Sequence, residues 1–182
     1  FSDYWACRIG RMMGIRHCLW TRHSVYDDMS DRQIARYRQL ARHTPVILGV
    51  SEAVRRNCVA VEGLPAGKVR MVANGIDTQR FQPLAPEKVL SIRRALGLAT
   101  DELMLLQVGR LIPEKAPAAF VSLVRDLRGR GLPVRGFLCG SGPLAEALAE
   151  IALDAGVAML GLRDDVPALL GVADLVVSTS RV

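Results

Sequence analysis

The stretches LMLLQVGRLIPEK (residues 103–115) and VRGFLCGSGPLA (residues 134–145) decide the fold. Each begins with a compact apolar run of strand length and passes through glycine into the start of a helical pattern. Between them, Phe120, Leu123, Val124 and Leu127 recur at helical spacing, the stripe of a helix that lies on a sheet. Apolar strand, amphipathic helix, apolar strand is the βαβ unit, whose strands run parallel with helices on their faces.

The same rhythm continues in both directions. Towards the C-terminus, residues 144–153 read as a helix with Leu144, Leu148 and Ile151 inward and Glu146 and Glu150 outward. A short strand at AML (158–160), a helix near 167–171 and the apolar run DLVVST (174–179) follow. Towards the N-terminus lie a helix over 86–96, the sequence ANGID (73–77), and strands at VRMV (69–72), PVILGV (45–50) and CLWTR (18–22). ANGID is predicted to turn, because Asn-Gly tolerates positive φ. Ser30 and Gln33 have capping-box spacing before a helix reaching about His43. Ser51 starts another helix, which Gly63 and Pro65 end, and residues 3–14 form a helix stopped by Gly14. The fold class is therefore α/β, with parallel sheets flanked by helices and a boundary between residues 74 and 86.

Half of the 182 residues are hydrophobic and 23% are charged, which excludes a disordered polar chain. No run approaches the roughly 18 apolar residues of a membrane span. Nothing reads as a secretory signal, so a cytoplasmic location is expected. The first residue is not Met and falls within a helical pattern, and the last apolar strand stops abruptly. An internal piece of a longer chain is the expectation. The four cysteines (Cys7, Cys18, Cys58, Cys139) show no metal-ligand spacing and read as reduced thiols. No Asp-x-Asp is present to hold a divalent metal.

The net charge of +6 is uneven. Residues 1–58 hold ten Arg against five acids, while the remainder balances fourteen bases against thirteen acids. An Arg-rich third suits a nucleic acid, an anionic membrane or a phosphorylated substrate, and equally a solvated helix face. Aromatic content of 5% argues against base stacking and hence against a nucleic-acid module.

The strand ends of a parallel sheet gather at one edge, where ligands bind. Three of them carry distinctive residues. In GRLIPEK, Gly109 closes a strand, Arg110 lies just beyond it, and Lys115 starts the next helix. Two cations beside helix-terminal amides suit a diphosphate, or are surface cations with Glu114 pairing one of them. GSGPLA (140–145) places Gly140 and Gly142 in a strand-to-helix turn. It matches the dinucleotide fingerprint, which leaves open an NAD(P)-dependent oxidoreductase; a tight turn is the bland alternative. That fingerprint normally follows the first strand of its domain, whereas here another strand–helix unit precedes it. GLRDDV (161–166) begins a short helix, with Asp164 or Asp165 as cap or ligand. In the first part, His23 follows a strand and falls at the ligand edge, although a lone His is more often structural.

The order of these pieces resembles the GT-B glycosyltransferases of family 4, the glycosyl transferases group 1 class. The matching segments are VSEAVRRN (50–57), VRMVANGIDTQRF (69–81), QVGRLIPEK (107–115), FLCGSGPLAEAL (137–148) and GLRDDVPALLGVADLVVSTSR (161–181). The resemblance implies parts of two Rossmann-like domains, both truncated. Residues 1–76 would be the C-terminal part of the acceptor-side domain, and 77–182 the N-terminal part of the donor-binding domain. It implies retaining, metal-independent sugar transfer with no cofactor, from a nucleotide-diphosphate sugar (UDP- or GDP-linked) to an envelope, exopolysaccharide or lipid-linked glycan acceptor. It implies that Arg110 and Lys115 contact the donor diphosphate. Gly109, Gly140, Gly142, Asp165 and Val166 would line the nucleotide, and His23, in Thr21-Arg22-His23, would lie beside the transferred sugar. Acceptor domains of this class often dock on anionic membranes, which gives the basic first third a peripheral-membrane role. Two departures stand out. Ala116 replaces the glycine that often follows the lysine, and the family's E-x7-E element, expected directly after Val182, is absent. The 182 residues alone are therefore expected to be inactive.

Overall fold

The computed structural model describes residues 2–26 and 29–181. Phe1 and Val182, the outer limits of the two predicted domains, lie outside the described residues. The chain forms two compact units, Phe1–Ile76 and Asp77–Val182.

In the first unit, β1 (Trp20–Arg22), β2 (Ile47–Gly49) and β3 (Val69–Met71) form a parallel sheet in the order β1-β2-β3. Trp20, Ile47 and Val69 are in register and share one face. That face is covered by α1 (Ser2–Met12), α2 (Asp31–Ala41) and α3 (Glu52–Ala60). Tyr4, Cys7, Tyr37, Leu40, Ala41, Val54 and Cys58 complete the buried cluster. The predicted caps form. Ser30 accepts from the Gln33 N–H while the Gln33 side chain accepts from Ser30, and Ser51 Oγ accepts from the Val54 N–H at 3.2 Å.

The inner end of β1 is polar. Arg22 is 3% exposed and donates to the equally enclosed Glu62 at 2.7 Å. Its guanidinium lies 3.9 Å from the centroid of the Tyr37 ring, and the Tyr37 hydroxyl donates to Asp3 at 2.9 Å. Burial, reinforced by the hydrogen bond to Asp3, pushes the Tyr37 hydroxyl up to about 12. Burial and the neighbouring Glu62 carboxylate push the Cys58 thiol up to about 11, so it stays protonated.

In the second unit, β4 (Leu103–Val108), β5 (Val134–Cys139), β6 (Val157–Gly161) and β7 (Leu175–Val176) run parallel in the order β6-β5-β4-β7. Both faces are covered. Leu105, Val134, Leu138 and Val157 meet α5 (Pro117–Gly129) and α6 (Ala145–Asp154) through Phe120, Val121, Val124, Leu148 and Ala152. Met104, Leu106, Phe137 and Cys139 form a second cluster with Leu98, with Ile92 of α4 (Pro86–Ala95) and with Leu169 and Val172 of α7 (Val166–Val172).

Three readings of the sequence are corrected. ANGID does not turn: Asn74 and Gly75 have no positive φ. The turn comes at 78–80, where the Asp77 carboxylate accepts from the Gln79 and Arg80 amides at 3.0 and 3.3 Å. In α6 the buried residues are Leu148 and Ala152, followed by Ala155 at the C-cap, while Ile151 is exposed; the small alanine side chains let the helix pack closely on the sheet. The run DLVVST pairs only at Leu175 and Val176. Asp174 donates its N–H to the Met104 carbonyl at 3.1 Å, and its carboxylate accepts from the Met104 N–H and from Arg93 at 2.6 and 2.8 Å, which fixes where β7 begins.

Candidate functional site

In the second unit, the loops after β4, β5 and β6 meet at the C-terminal edge of the sheet. They enclose a cavity of about 210 Å³ lined by Gly109, Arg110, Gly140, Ser141, Arg163 and Val166, among others. The loops are stitched by backbone bonds: Gly109 N–H to Cys139 O at 2.9 Å, Gly140 N–H to Gly161 O at 2.8 Å, and Leu111 N–H to Ser141 O at 2.9 Å.

The two predicted turn glycines have a steric reason. A Cβ on Gly140 would stand 1.9 Å from the Gly109 carbonyl oxygen, and one on Gly142 would stand 2.4 Å from that of Leu111. Gly140 also holds φ of 139°, a region closed to side-chain-bearing residues. The glycines thus let the 140–142 turn press on the 109–111 loop. The fingerprint spacing answers a packing demand of this sheet without any dinucleotide.

Lys115 closes a single 3-10 turn, Pro113–Lys115, at the start of α5. Gln107 and Thr179 hold that turn. Gln107 Nε2 donates to the Lys115 carbonyl at 3.1 Å, and Thr179 Oγ1 lies 2.9 Å and 3.0 Å from the carbonyls of Lys115 and Ala116. Neither residue was singled out from sequence. Gln107 gave a usable signal, a polar residue inside an otherwise apolar strand; Thr179 gave none. Ala116 adopts φ 42°, ψ 51°, the left-handed region, and so keeps the conformation that glycine would take there.

Among the described residues, neither Arg110 nor Lys115 has a carboxylate partner, so Glu114 pairs with neither. Asp165 stands at the N-cap of α7 but caps nothing. Its carboxylate takes a two-pronged contact from Arg163 at 2.8 and 2.7 Å, and that hydrogen bonding holds it below the usual range. Of the residues predicted for the nucleotide side, Gly109, Arg110, Gly140 and Val166 line one cavity, which Arg163 and Ser141 join. Lys115, Gly142 and Asp165 lie on the adjoining loops and do not line it.

In the first unit, His23 follows β1 at the C-terminal edge of its own sheet. It is exposed and lines a cavity of about 590 Å³ with Thr21, Arg22, Tyr26, Gln33 and Tyr37. The buried Arg22–Glu62 pair anchors the strand one residue before it. Among the described residues no cluster of three or more His, Cys, Asp or Glu is placed to hold a metal ion. No helix among them is long and apolar enough to cross a membrane.

Parallel sheets with loops gathered at their C-terminal edges define a Rossmann-like architecture in each unit. Residues 1–80 match the model of the family described as Glycosyltransferase Family 4. The chain superimposes on Anabaena Alr3699/HepE, solved in complex with UDP, with a TM-score of 0.82 at 21% identity, covering 99% of this chain and 51% of that one. It is 28% identical over 152 residues to a GDP-mannose-dependent alpha-(1-6)-phosphatidylinositol monomannoside mannosyltransferase of Mycolicibacterium smegmatis, covering 82% of this chain and 39% of that protein. It is 34% identical over 134 residues to a D-inositol 3-phosphate glycosyltransferase of Thermobispora bispora, covering 70% of this chain and 27% of that protein. The fold is that of the GT-B glycosyltransferases, and residues 1–80 carry the match to family 4. The chain spans 27–51% of the length of these relatives.

Proposed function

We propose that this chain supplies parts of the acceptor-side domain (1–76) and of the donor-side domain (77–182) of a glycosyltransferase. The whole enzyme transfers a sugar, with retention and without a metal, from a UDP- or GDP-linked donor to a glycan or lipid-linked acceptor. It is a cytoplasmic protein that touches an anionic membrane peripherally. The observation that carries the reading is the pair of cations without carboxylate partners, Arg110 and Lys115, on loops at the C-terminal edge of a parallel sheet in a chain of GT-B fold. Their charges are available to an anion. A diphosphate bound there meets both, and the same charges stabilise the negative charge that grows on the leaving group as the sugar departs. The backbone amides of the 109–111 and 140–142 loops add fixed donors that need no reorganisation. His23 is assigned to the transferred sugar, and Asp165 and Val166 to the nucleotide side.

Titration calorimetry of the 182-residue chain tests this with UDP, GDP, inorganic diphosphate and NADH. UDP or GDP is expected to bind and NADH is not. Arg110→Ala and Lys115→Ala each weaken nucleotide-diphosphate binding by roughly 10–100-fold, the worth of a charge-assisted hydrogen bond, with no change in the melting transition. Tighter binding of NADH than of either nucleotide diphosphate would overturn the assignment.

A further inference from the structure

Two of the four thiols meet outside the described edges. Cys7 lies on the inner side of α1, and Cys18 stands in the segment that leads into β1. Cys7 Sγ donates to the carbonyl of Leu19, the residue after Cys18, at 3.8 Å. Cys18 Sγ in turn lies against α1 one helical turn past Cys7, where a Cβ on Gly10 would stand 3.1 Å from it. Each sulfur thus rests on the other's segment, and both residues line one cavity of about 360 Å³. Burial pushes the Cys7 thiol up, and Cys18 and Asp3 add to that push.

The two sulfurs differ in access. Cys7 is 5% exposed, whereas Cys18 is half-buried in a segment, residues 13–19, that forms neither helix nor strand. Such a segment can make the shift that brings two sulfurs to the roughly 2 Å of a disulfide. Cys58 and Cys139 are fully enclosed in the apolar clusters of their own units. Arg11, Arg16 and His43 line the cavity beside Cys7 and Cys18, and among the described residues no carboxylate does. Two thiols beside a cationic wall suit a reagent that carries both a disulfide bond and negative charge.

We propose that Cys7 and Cys18 form a thiol–disulfide exchange site that takes an anionic low-molecular-weight disulfide and closes into a Cys7–Cys18 bond. Cys18 loses its proton and its thiolate attacks one sulfur of the incoming disulfide. That S–S bond breaks, one thiol leaves carrying a proton, and a mixed disulfide remains on Cys18. Cys7 then loses its proton and attacks Cys18 Sγ, and the second thiol leaves in the same way. The two cysteines are oxidised by two electrons, and the incoming disulfide is reduced to two thiols. Arg11 and Arg16 draw the anionic reagent to the cavity. The bond ties α1 to the segment that enters β1, and an excess of small thiol reverses it.

Incubation of the folded 182-residue chain with glutathione disulfide, followed by acid quenching, alkylation and tryptic mass mapping without reductant, tests it. Cleavage after arginine places Cys7 in residues 1–8 and Cys18 in residues 17–22, so the bond joins two separate peptides. A glutathione adduct on Cys18 is expected first, then the linked peptides, with Cys58 and Cys139 still alkylated. Cys7→Ser stops the reaction at the Cys18 adduct, and Cys18→Ser leaves Cys7 unmodified. Should either variant fail to fold, early time points of the unaltered chain read the same order of steps. At low salt, glutathione disulfide reacts at least about tenfold faster than the cationic disulfide cystamine, and added salt narrows the gap. Replacing Arg11 and Arg16 together by Gln brings the two rates within a few-fold, whereas replacing both by Lys keeps them apart. A Cys18 adduct that never closes would overturn the proposal. So would modification of Cys58 or Cys139 at a comparable rate, a disulfide between two copies, or no reaction short of unfolding. Equal rates with the two reagents would remove the anionic disulfide as the partner.

Discussion

The first unit builds its sheet from three strands of three residues, the second from four strands of which two run for six. The short sheet is covered by one helical layer over a single buried cluster, and the end of β1 is held by ionic and aromatic contacts around Arg22. The longer sheet carries a separate apolar cluster on each face. Length of strand decides which solution is open. A strand of three residues offers few ladder bonds and little inward surface, so a polar network that fixes one strand has more to do. A central six-residue strand buried on both faces is fixed by burial, which leaves its loop end free to carry cations that have no structural partner.

The contrast is broken most severely at Glu62. Glu62→Ala takes from the enclosed Arg22 its closest carboxylate and leaves it Asp3 at 3.8 Å, and is expected to destabilise the first unit by up to about 3–5 kcal/mol. Replacing both residues by Arg22→Met and Glu62→Leu recovers most of that loss, because neither charge is then stranded. Both tryptophans and all three tyrosines lie in residues 1–76, so fluorescence in a urea titration reports this unit alone. A fluorescence midpoint unchanged by Glu62→Ala would show that the ion pair is dispensable.

The next largest effect belongs to the second unit. Gly140→Ala drives a methyl into the Gly109 carbonyl and is expected to cost roughly 1–3 kcal/mol. The loss registers in far-ultraviolet dichroism and in hydrogen exchange at β4 and β5, with tryptophan emission unmoved. Wild-type stability in this variant would mean that the 109–111 loop yields easily and is not the rigid edge described above.

The smallest change points the other way. Ala116→Gly relieves a side-chain-bearing residue in left-handed geometry, offset in part by the greater freedom of glycine in the unfolded chain. A gain of up to about 1 kcal/mol in the thermal transition of the second unit is expected. A loss would show that the buried Ala116 methyl contributes more by packing than its backbone costs.

Much of this was legible in the sequence, and unevenly so. The range of β5 was readable to the residue because VRGFLC is bounded by Pro133 and Gly140, and five of its six residues are buried. β1 and β2 were expected longer than they are, since an apolar run shows what is buried and not how far the ladder extends. The sequence placed Gly109, Arg110, Gly140 and Val166 at one edge because strand ends in a parallel sheet converge by topology. It could not show that Gly140 exists to clear Gly109, since that contact joins segments thirty residues apart. The Arg22–Glu62 pair was equally hidden, with partners separated by 40 positions and no periodicity linking them. Ile151 was misassigned because a helical stripe names a face and leaves open which of two neighbouring residues the packing prefers.

The clamp on Lys115 bears on the order in which the protein is made. The carbonyls of Lys115 and Ala116 are held by Thr179, 64 and 63 positions later, and β4 gains its second neighbour only from Leu175 and Val176. Residues 1–76 leave the ribosome with every strand of their sheet already synthesised. The loop bearing Arg110 and Lys115 is translated long before the segment that fixes it. At about 5–20 residues per second, that interval lasts several seconds, during which the central strand has an open edge. The loop that carries Arg110 and Lys115 therefore reaches its final geometry only after residues 175–179 have been made, and a chaperone that shields β4 in that window would act on the edge where those two cations stand.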